Sequence, residues 1–287
     1  MLQQFDERNR DLIVNINGKL VHRDQAGVSP FDSAVQGGDA VWEGLRLYDG
    51  RIFALTEHLA RLRSSALALA FEKIPSDEEI IAEIRRTLAA NRMKDGVHIR
   101  LTLSRGVKIT SGMDPRLNRS GPTLIVLAEH KAPVYSKQGL KLMTSTMRRP
   151  LPDVLDPKIH HANLLNSILA KIQANAAGAD DAIMLDSRGF IAETNATHLF
   201  FIERGMLRTP RTVACPEGIT RATVLELCQE RQRVVVGDQQ PVLSGTSATD
   251  GGTVTENIVY KDTGVKLSVT PRVNDSGLVV LDISQEG

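Results

Sequence analysis

Alternation of apolar and polar residues along the first part of the chain predicts β-hairpins. Residues 12–22 alternate on both sides of Asn17-Gly18, a dipeptide that favours the left-handed backbone of a two-residue hairpin turn. A second hairpin is predicted over 45–55, with Asp49-Gly50 at its tip. The same alternation predicts two further strands, at 97–104 and 123–129.

Apolar residues at helical spacing predict two helices between these strands. The first is predicted to begin with Thr56 as its N-cap, and the second begins at Ser76, which forms a capping-box pattern with Glu79. Their predicted apolar stripes are Leu59, Leu62, Ala66 and Leu69 in the first helix, and Ile80, Ile81, Ile84 and Leu88 in the second. This block ends near Ala132-Pro133, so we predict a small N-terminal α+β domain over 1–132.

The next block combines strands and helices in a different order. We predict a strand over 140–147, a helix over 163–177 and a last helix over 220–230. Three consecutive antiparallel strands are predicted between the two helices, at 182–185, 189–194 and 198–202. A second domain over 133–232 follows, and the predicted fold class is α+β or α/β with two domains.

The final segment, 233–287, has a different character. Its residues alternate with period two, as in 265–270, and it contains Gly-Gly and Asp-Ser-Gly turns but no helical periodicity. We therefore predict an all-β segment joined to an α+β chain.

Composition excludes several classes of function. With 287 residues, 41% hydrophobic and 24% charged, the chain is typical of globular proteins, and its net charge of +1 gives no reason to expect nucleic acid or an anionic membrane as partner. Two cysteines are too few for a disulfide framework. The N-terminus is charged within its first residues, so no signal peptide is expected. No apolar run is long enough to cross a bilayer as a helix. We therefore expect a cytoplasmic location.

Three groups of residues have the chemistry that an aldehyde cofactor with a ring nitrogen and a phosphate would need. Lys158 follows Pro157 in a short connection, and its amine can condense with an aldehyde. Glu193 lies between apolar strand residues, where a carboxylate is costly unless it is paired, and a protonated ring nitrogen would pair it. Taken alone, Lys158 is typical of a solvated loop residue, and Glu193 of a strand-end ion pair.

The third group is Gly218-Ile219-Thr220, directly before the last predicted helix. Free backbone N–H groups and the positive end of the helix dipole favour an anion there. Gly218 permits close approach, and Thr220 is expected to cap the helix and to donate its hydroxyl. Arg61 is a further candidate for the phosphate, although by itself it is typical of a solvent-facing arginine. His160-His161 lacks a nearby third ligand, so no metal is expected.

These segments occur in one collinear order that resembles the fold type IV, class IV aminotransferases, close to the branched-chain and D-amino acid transaminases. The matching segments are 41–53, 57–62 with Arg61, Lys158 with 163–171, 189–200 with Glu193, and 218–221. The resemblance implies that Lys158 is catalytic and holds pyridoxal 5'-phosphate. It also implies that Arg61, Glu193, Gly218, Ile219 and Thr220 bind this cofactor, and that Arg100, Trp42 and Arg46 face the substrate.

Two departures concern the substrate pocket and the C-terminus. Gly37 and Leu164 stand where many branched-chain enzymes have tyrosine. In place of the family's expected C-terminal elements, 233–287 resembles part of a secretin, the outer-membrane channel of secretion systems. We interpret the chain as a chimera joined near 230–233, either an assembly or gene-prediction join or a real fusion, with an incomplete large cofactor domain.

The resemblance implies transamination of a branched-chain amino acid with 2-oxoglutarate by a homodimer. The alternatives within the enzyme class are a D-amino acid transaminase and an aminodeoxychorismate lyase. The rival from another class is a fragment of a secretin channel, which the tail alone supports. It is disfavoured because about 55 residues cannot close a barrel.

Overall fold

The computed structural model describes residues 3–133, 139–203, 206–230, 234–236, 238–248, 254–263, 266–273 and 279–286. The chain divides into two compact units, Met1–Gly139 with Ile159–Leu164 and Leu140–Lys158 with Leu165–Gly287. The division at 132 and 232 stays a prediction. Within the described residues, no helix is long and apolar enough to cross a membrane.

The first unit is built on a six-stranded sheet with the order β2-β1-β6-β5-β3-β4. All its pairings are antiparallel, and β5 pairs with β3 on one side and β6 on the other. The strands are β1 (Ile13–Ile16), β2 (Lys19–His22), β3 (Ala40–Tyr48), β4 (Arg51–Ile52), β5 (Val97–Ser104) and β6 (Thr123–His130).

Both predicted hairpin turns are confirmed by the backbone. Asn17 and Gly18 have φ values of 50° and 78°, and Asp49 and Gly50 have φ values of 46° and 76°. Two successive residues with positive φ match the right-handed twist of the flanking strands. The turns therefore fix the register of β1 with β2 and of β3 with β4.

The described residues of the first unit form three α-helices: α1 (Ser33–Gly37), α2 (Leu55–Ala68) and α3 (Asp77–Ala90). The prediction of Thr56 as the N-cap of α2 is wrong, because the helix already begins at Leu55 and Ala54 takes the cap position with φ 48°. The capping box of α3 is confirmed. Ser76 Oγ accepts a hydrogen bond of 3.2 Å from the Glu79 N–H, and Glu79 Oε2 accepts one of 2.7 Å from the Ser76 N–H.

The core of the first unit lies between the sheet and helices α2 and α3. The odd-numbered residues of β5 from Val97 to Leu103 are fully buried, as period-two alternation requires. They form one cluster with the buried helix residues Leu59, Leu62, Ile80 and Ile84. The even-numbered residues point to the other face, which carries the predicted substrate contacts.

Up to residue 236, the described part of the second unit contains two three-stranded sheets and three helices. The strands are β7 (Leu142–Thr144), β8 (Asp181–Leu185) and β9 (Ile191–Thr194) in one sheet, and β10 (Phe201–Glu203), β11 (Met206–Thr209) and β12 (Val234–Val236) in the other. The helices are α4 (Pro152–Leu155), α5 (Leu165–Ala176) and α6 (Ile219–Glu230). The predicted strand over 198–202 is wrong at its start, since β10 begins at Phe201.

Helix α5 buries only small residues. Ala170 and Ala174 are fully buried against Ala182 and Met184 of β8. The larger residues of its apolar stripe are exposed, with Leu165 at 65%, Ile168 at 51% and Ile172 at 56%. A contiguous apolar stripe of this kind is uncommon on a protein surface.

The described parts of the C-terminal segment are strands. β13 (Asp238–Ala248) pairs antiparallel with β14 (Val254–Thr263), and β15 (Lys266–Val273) pairs antiparallel with β16 (Val279–Glu286). Strand β12 lies parallel to β11, with Leu207 opposite Val234.

The caps of α2 and α3 give a matched pair of substitutions. Ser76→Ala removes the side-chain acceptor of the capping box and is expected to lower the free energy of unfolding by about 1 kcal/mol. Thr56→Ala, inside the exposed first turn of α2, is expected to change it by less than about 0.5 kcal/mol. Urea denaturation of both variants measures the difference, and an equal loss in both would contradict the observed cap positions.

Candidate active site

Lys158 lies in the turn that follows α4. Its backbone N–H donates a hydrogen bond of 2.9 Å to Asp156 Oδ1, which fixes the turn. Its Nζ lies 3.6 Å from Glu217 Oε1, and the two side chains are 49% and 74% exposed. This exposed ion pair holds the amine weakly, so it remains free to move.

A cavity of about 480 Å³ opens beside Lys158. It is lined by Pro152, Lys158, Arg211, Thr212, Val213, Arg221 and Leu225. Three of these side chains are cationic, which favours an anionic ligand. Arg221 is only 8% exposed, and its guanidinium donates to Pro210 O at 3.0 Å, so it is fixed in the wall.

Glu193 lies on β9, and all four residues of this strand are buried. Its Oε1 is 2.8 Å from an Arg149 nitrogen, and its Oε2 is 4.0 Å from His198 Nε2. Burial raises the pKa of Glu193 to about 7, although the nearby Arg149 guanidinium acts in the opposite direction. A second cation beside this carboxylate would favour its ionised form.

Cys215 closes the same site from another loop. One ligand atom each of Glu193, His198 and Cys215 lies within 4.8 Å of the others. Burial first, and then the neighbouring Glu193, raises the pKa of the Cys215 thiol to about 12. Cys215 therefore stays a neutral thiol at physiological pH.

The turn before α6 needs glycine. Gly218 has φ 74°, and a Cβ built there would lie 2.4 Å from His198 Cε1. Its carbonyl accepts the first helical hydrogen bond, from the Ala222 N–H at 2.9 Å. The expectation that Thr220 caps the helix is wrong, because α6 already begins at Ile219. Thr220 instead offers its N–H group in the first turn, where backbone donors have no intrahelical partner.

The chemistry of these residues fits pyridoxal phosphate. The second unit brings together a buried carboxylate short of positive charge, a helix N-terminus behind a glycine, and an amine at a cationic cavity. The carboxylate would pair with a protonated ring nitrogen, and the helix N-terminus would bind a phosphate. Lys158 is the weakest part of this fit, because its amine is half exposed and contacts Glu217.

Arg61 lies on α2 in the first unit and is not a solvent-facing arginine. Its Nε and Nη2 donate to the two oxygens of Glu43 at 2.8 and 2.6 Å, and its side chain is 20% exposed. His58 Nδ1 lies 2.6 Å from Glu43 Oε2. Burial alone would raise the pKa of Glu43, but the hydrogen bonds from Arg61 and His58 outweigh it and lower the pKa.

Sequence analysis missed the role of Glu43. The alternation of β3 contains a signal for it, because Val41, Leu45 and Leu47 are buried and Glu43 shares their face. A charged residue at a core-facing position of a strand needs a partner.

The predicted substrate contacts lie on the opposite face of the same strands. The Arg100 guanidinium lies 3.6 Å from the centroid of the Trp42 ring, and this ring also stacks on His160 at 4.4 Å. Arg46 lies farther along the strand and donates to Lys131 O at 2.7 Å. The structure therefore brings Arg100 and Trp42 into contact, whereas Arg46 binds a backbone carbonyl.

His98 lies on β5 opposite Arg46. Burial first, and then the charges of Lys131 and Arg46, lower the pKa of His98 to about 4. Among the described residues its Nδ1 is buried without a hydrogen-bond partner. His98 is therefore neutral, and the positive charges near it are those of Lys131, Arg46 and Arg100.

Comparison with known proteins gives two family matches. The sequence profile of amino-transferase class IV matches residues 40–241, and that of bacterial type II and III secretion system proteins matches residues 219–287. The second match agrees with the predicted chimera, and the two overlap over 219–241.

Relatives and solved structures agree with the first match. The chain is 57% identical over 220 residues to branched-chain-amino-acid aminotransferase-like protein 2 of Arabidopsis thaliana, covering 76% of this chain but 39% of that protein. It is 30% identical over 241 residues to a branched-chain-amino-acid aminotransferase of Pseudomonas aeruginosa, covering 77% of this chain and 74% of that one.

The T.th. branched-chain amino acid aminotransferase, complexed with N-(5'-phosphopyridoxyl)-L-glutamate, superposes with a TM-score of 0.72 at 30% identity, covering 79% of this chain and 76% of that one. The same enzyme with pyridoxamine 5'-phosphate gives the same TM-score. The fold type IV expectation is thus confirmed, and the chain belongs to the class IV amino-transferase family.

Proposed function

We propose that this chain is a pyridoxal phosphate-dependent aminotransferase of branched-chain amino acids, with 2-oxoglutarate as the amino acceptor. The observation that carries the proposal is the grouping of Lys158, Glu193 and the Gly218 turn in the second unit. The names of the relatives support the substrate class. The chain spans about two fifths of the length of the Arabidopsis relative.

Each residue has a proposed part in the reaction. When bound, pyridoxal phosphate supplies a reactive aldehyde carbon and a ring that stabilises negative charge at the substrate Cα. Glu193 would hold a proton on the ring nitrogen. Lys158 Nζ would accept the proton that leaves the substrate Cα and return it later. The amine must be neutral for this, so its contact with Glu217 has to be released.

The phosphate contacts are assigned to backbone donors. Gly218 allows close approach, and the N–H groups of Ile219 and Thr220 lie at the positive end of α6. The resemblance implies that Arg61 is a further phosphate contact. In the structure, its guanidinium donates to Glu43 through Nε and Nη2. The resemblance likewise supports three proposed substrate contacts, Arg100, Trp42 and Arg46.

The oligomeric state and the alternative substrates rest on the resemblance, and the location rests on the composition of the chain. The family-like portion is proposed to form a homodimer, in the cytoplasm. D-amino acids and aminodeoxychorismate are the alternative substrates, and assays with each of them in place of a branched-chain amino acid distinguish the three reactions. A secretin fragment would take up no cofactor.

Lys158 is tested by its optical signature. The purified protein with added pyridoxal phosphate is expected to show an absorbance band near the visible edge, and Lys158→Ala is expected to lose it because no amine then binds the aldehyde. Turnover of a branched-chain amino acid should fall at least about a hundredfold. Lys94→Ala, at an exposed surface lysine, is the control and should keep both.

The proposal is wrong if neither this chain nor a version with a family-like C-terminus takes up the cofactor. If both take it up but Lys158→Ala keeps the band, the proposed function survives and the assignment of Lys158 is wrong.

Replacement of the C-terminal segment tests the chimera interpretation. A variant in which 233–287 is exchanged for the C-terminus of a class IV relative is expected to be more soluble and to bind pyridoxal phosphate more tightly. The reason is that it should cover exposed apolar residues such as those of α5 and add a phosphate donor. Soluble yield and cofactor titration measure both effects, and equal behaviour of the two proteins would count against a chimera.

A further inference from the structure

Arg149 is fixed in the second unit by all three nitrogens of its guanidinium. One terminal nitrogen lies 2.8 Å from Glu193 Oε1, and the other donates to Ser167 Oγ at 3.2 Å. Its Nε donates a longer hydrogen bond of 3.4 Å to Ala214 O. These partners belong to β9, to α5 and to the loop before α6, so one side chain joins three separate segments.

The backbone around Arg149 is held as firmly. Its N–H donates to Leu185 O at 2.8 Å, and it forms an isolated parallel bridge with Asp186 beyond the end of β8. The carbonyl of Arg148 accepts a hydrogen bond of 3.0 Å from Asn166 Nδ2. The backbone from which the Arg149 side chain extends is therefore fixed, as are the partners of its guanidinium. The side chain is 12% exposed.

Among the residues that the structure describes, one permanent cation is in direct contact with Glu193. The titratable groups that face its carboxylate are Arg149, His198 and Cys215. His198 Nε2 already lies 2.7 Å from the carbonyl oxygen of Pro216, and Cys215 stays neutral. A carboxylate buried this deeply is strongly destabilised as an anion unless a cation contacts it. Arg149 is the residue placed to supply that charge.

We propose that Arg149 is a positioning residue for Glu193: it holds the Glu193 carboxylate by Oε1, favours its ionised form, and leaves Oε2 for the ring nitrogen of the cofactor. This inference rests on the proposed function, since the ring is the second cation that the site requires. Arg149 would act through Glu193 and would not itself contact the cofactor.

A lysine cannot replace this arrangement. The planar guanidinium presents its donors in a fixed fork, whereas an ammonium is a point charge on a flexible stem. Arg149→Lys would keep a positive charge near Glu193 but lose the simultaneous contacts with Ser167 and Ala214. Charge and orientation can therefore be tested separately, with Arg149→Met removing both.

The experiment is a titration of the full chain with pyridoxal phosphate, followed by absorbance, at pH values from about 5 to 9. With a Glu193 pKa of about 7, affinity is expected to fall as the pH is lowered through 7, because protonated Glu193 no longer attracts the ring nitrogen. Arg149→Met removes the cation beside Glu193, so the pH at which affinity for the cofactor is half lost should rise by about one unit or more. In Arg149→Lys this midpoint pH should lie between those of the unaltered protein and Arg149→Met.

Glu193→Gln provides the matched control because it has no carboxylate to titrate. It should lack this step in the pH profile, and Arg149→Met added to it should cause no further loss of affinity. The proposal is overturned if Arg149→Met lowers affinity equally at every pH, or if its effect persists undiminished in the Glu193→Gln background.

Far-ultraviolet circular dichroism and the thermal midpoint check that each variant folds. If Arg149→Met does not fold, Ser167→Ala takes its place, because it removes one partner of the guanidinium and should move the midpoint in the same direction by less. An unchanged midpoint in Ser167→Ala would then overturn the proposal. If the unaltered protein binds no pyridoxal phosphate at any pH, the proposed function itself fails.

Discussion

The burial of a carboxylate opposite an arginine recurs in both units of this protein. Glu43 lies in the core-facing row of β3 and is fully enclosed, and Glu193 lies on the fully buried strand β9. A buried anion without a partner costs several kcal/mol, so each glutamate requires the arginine that faces it. The two ion pairs also join segments distant in sequence, Glu43 with Arg61 of α2 and Glu193 with Arg149 before α4.

The two pairs differ in how completely the carboxylate is neutralised. Glu43 receives a two-pronged contact from Arg61 and a third from His58, and its pKa is lowered despite burial. Glu193 has its closest cation at one oxygen only, and its pKa is raised to about 7. In the Glu43–Arg61 pair both carboxylate oxygens have a donor, and the pair joins β3 to α2. The second pair is incomplete, which is the condition expected of a group that awaits a charged ligand.

Local patterns in the sequence predict local structure well and distant pairing poorly. The Asn17-Gly18 turn, the strand 97–104 and the capping box at Ser76 are confirmed, since each depends on neighbouring residues alone. Thr56 was misplaced because Ala54 takes a left-handed conformation that no propensity favours. Glu43 was detectable from the alternation of β3. Arg149 was not, because it lies far from Glu193 in the sequence and only the folded chain brings the two together.

The parallel pairing of β11 with β12 places the boundary between the two family resemblances inside a hydrogen-bonded sheet. The two matches overlap over 219–241, which includes α6 and β12. Strand β11 belongs to the transaminase-like part, and β12 covers its open side. If the chain were cut at 233, β11 would become an edge strand with unpaired backbone groups available to another chain. Strand β12 therefore occupies the backbone groups of β11 that another chain could otherwise pair with, at a place where both family matches apply.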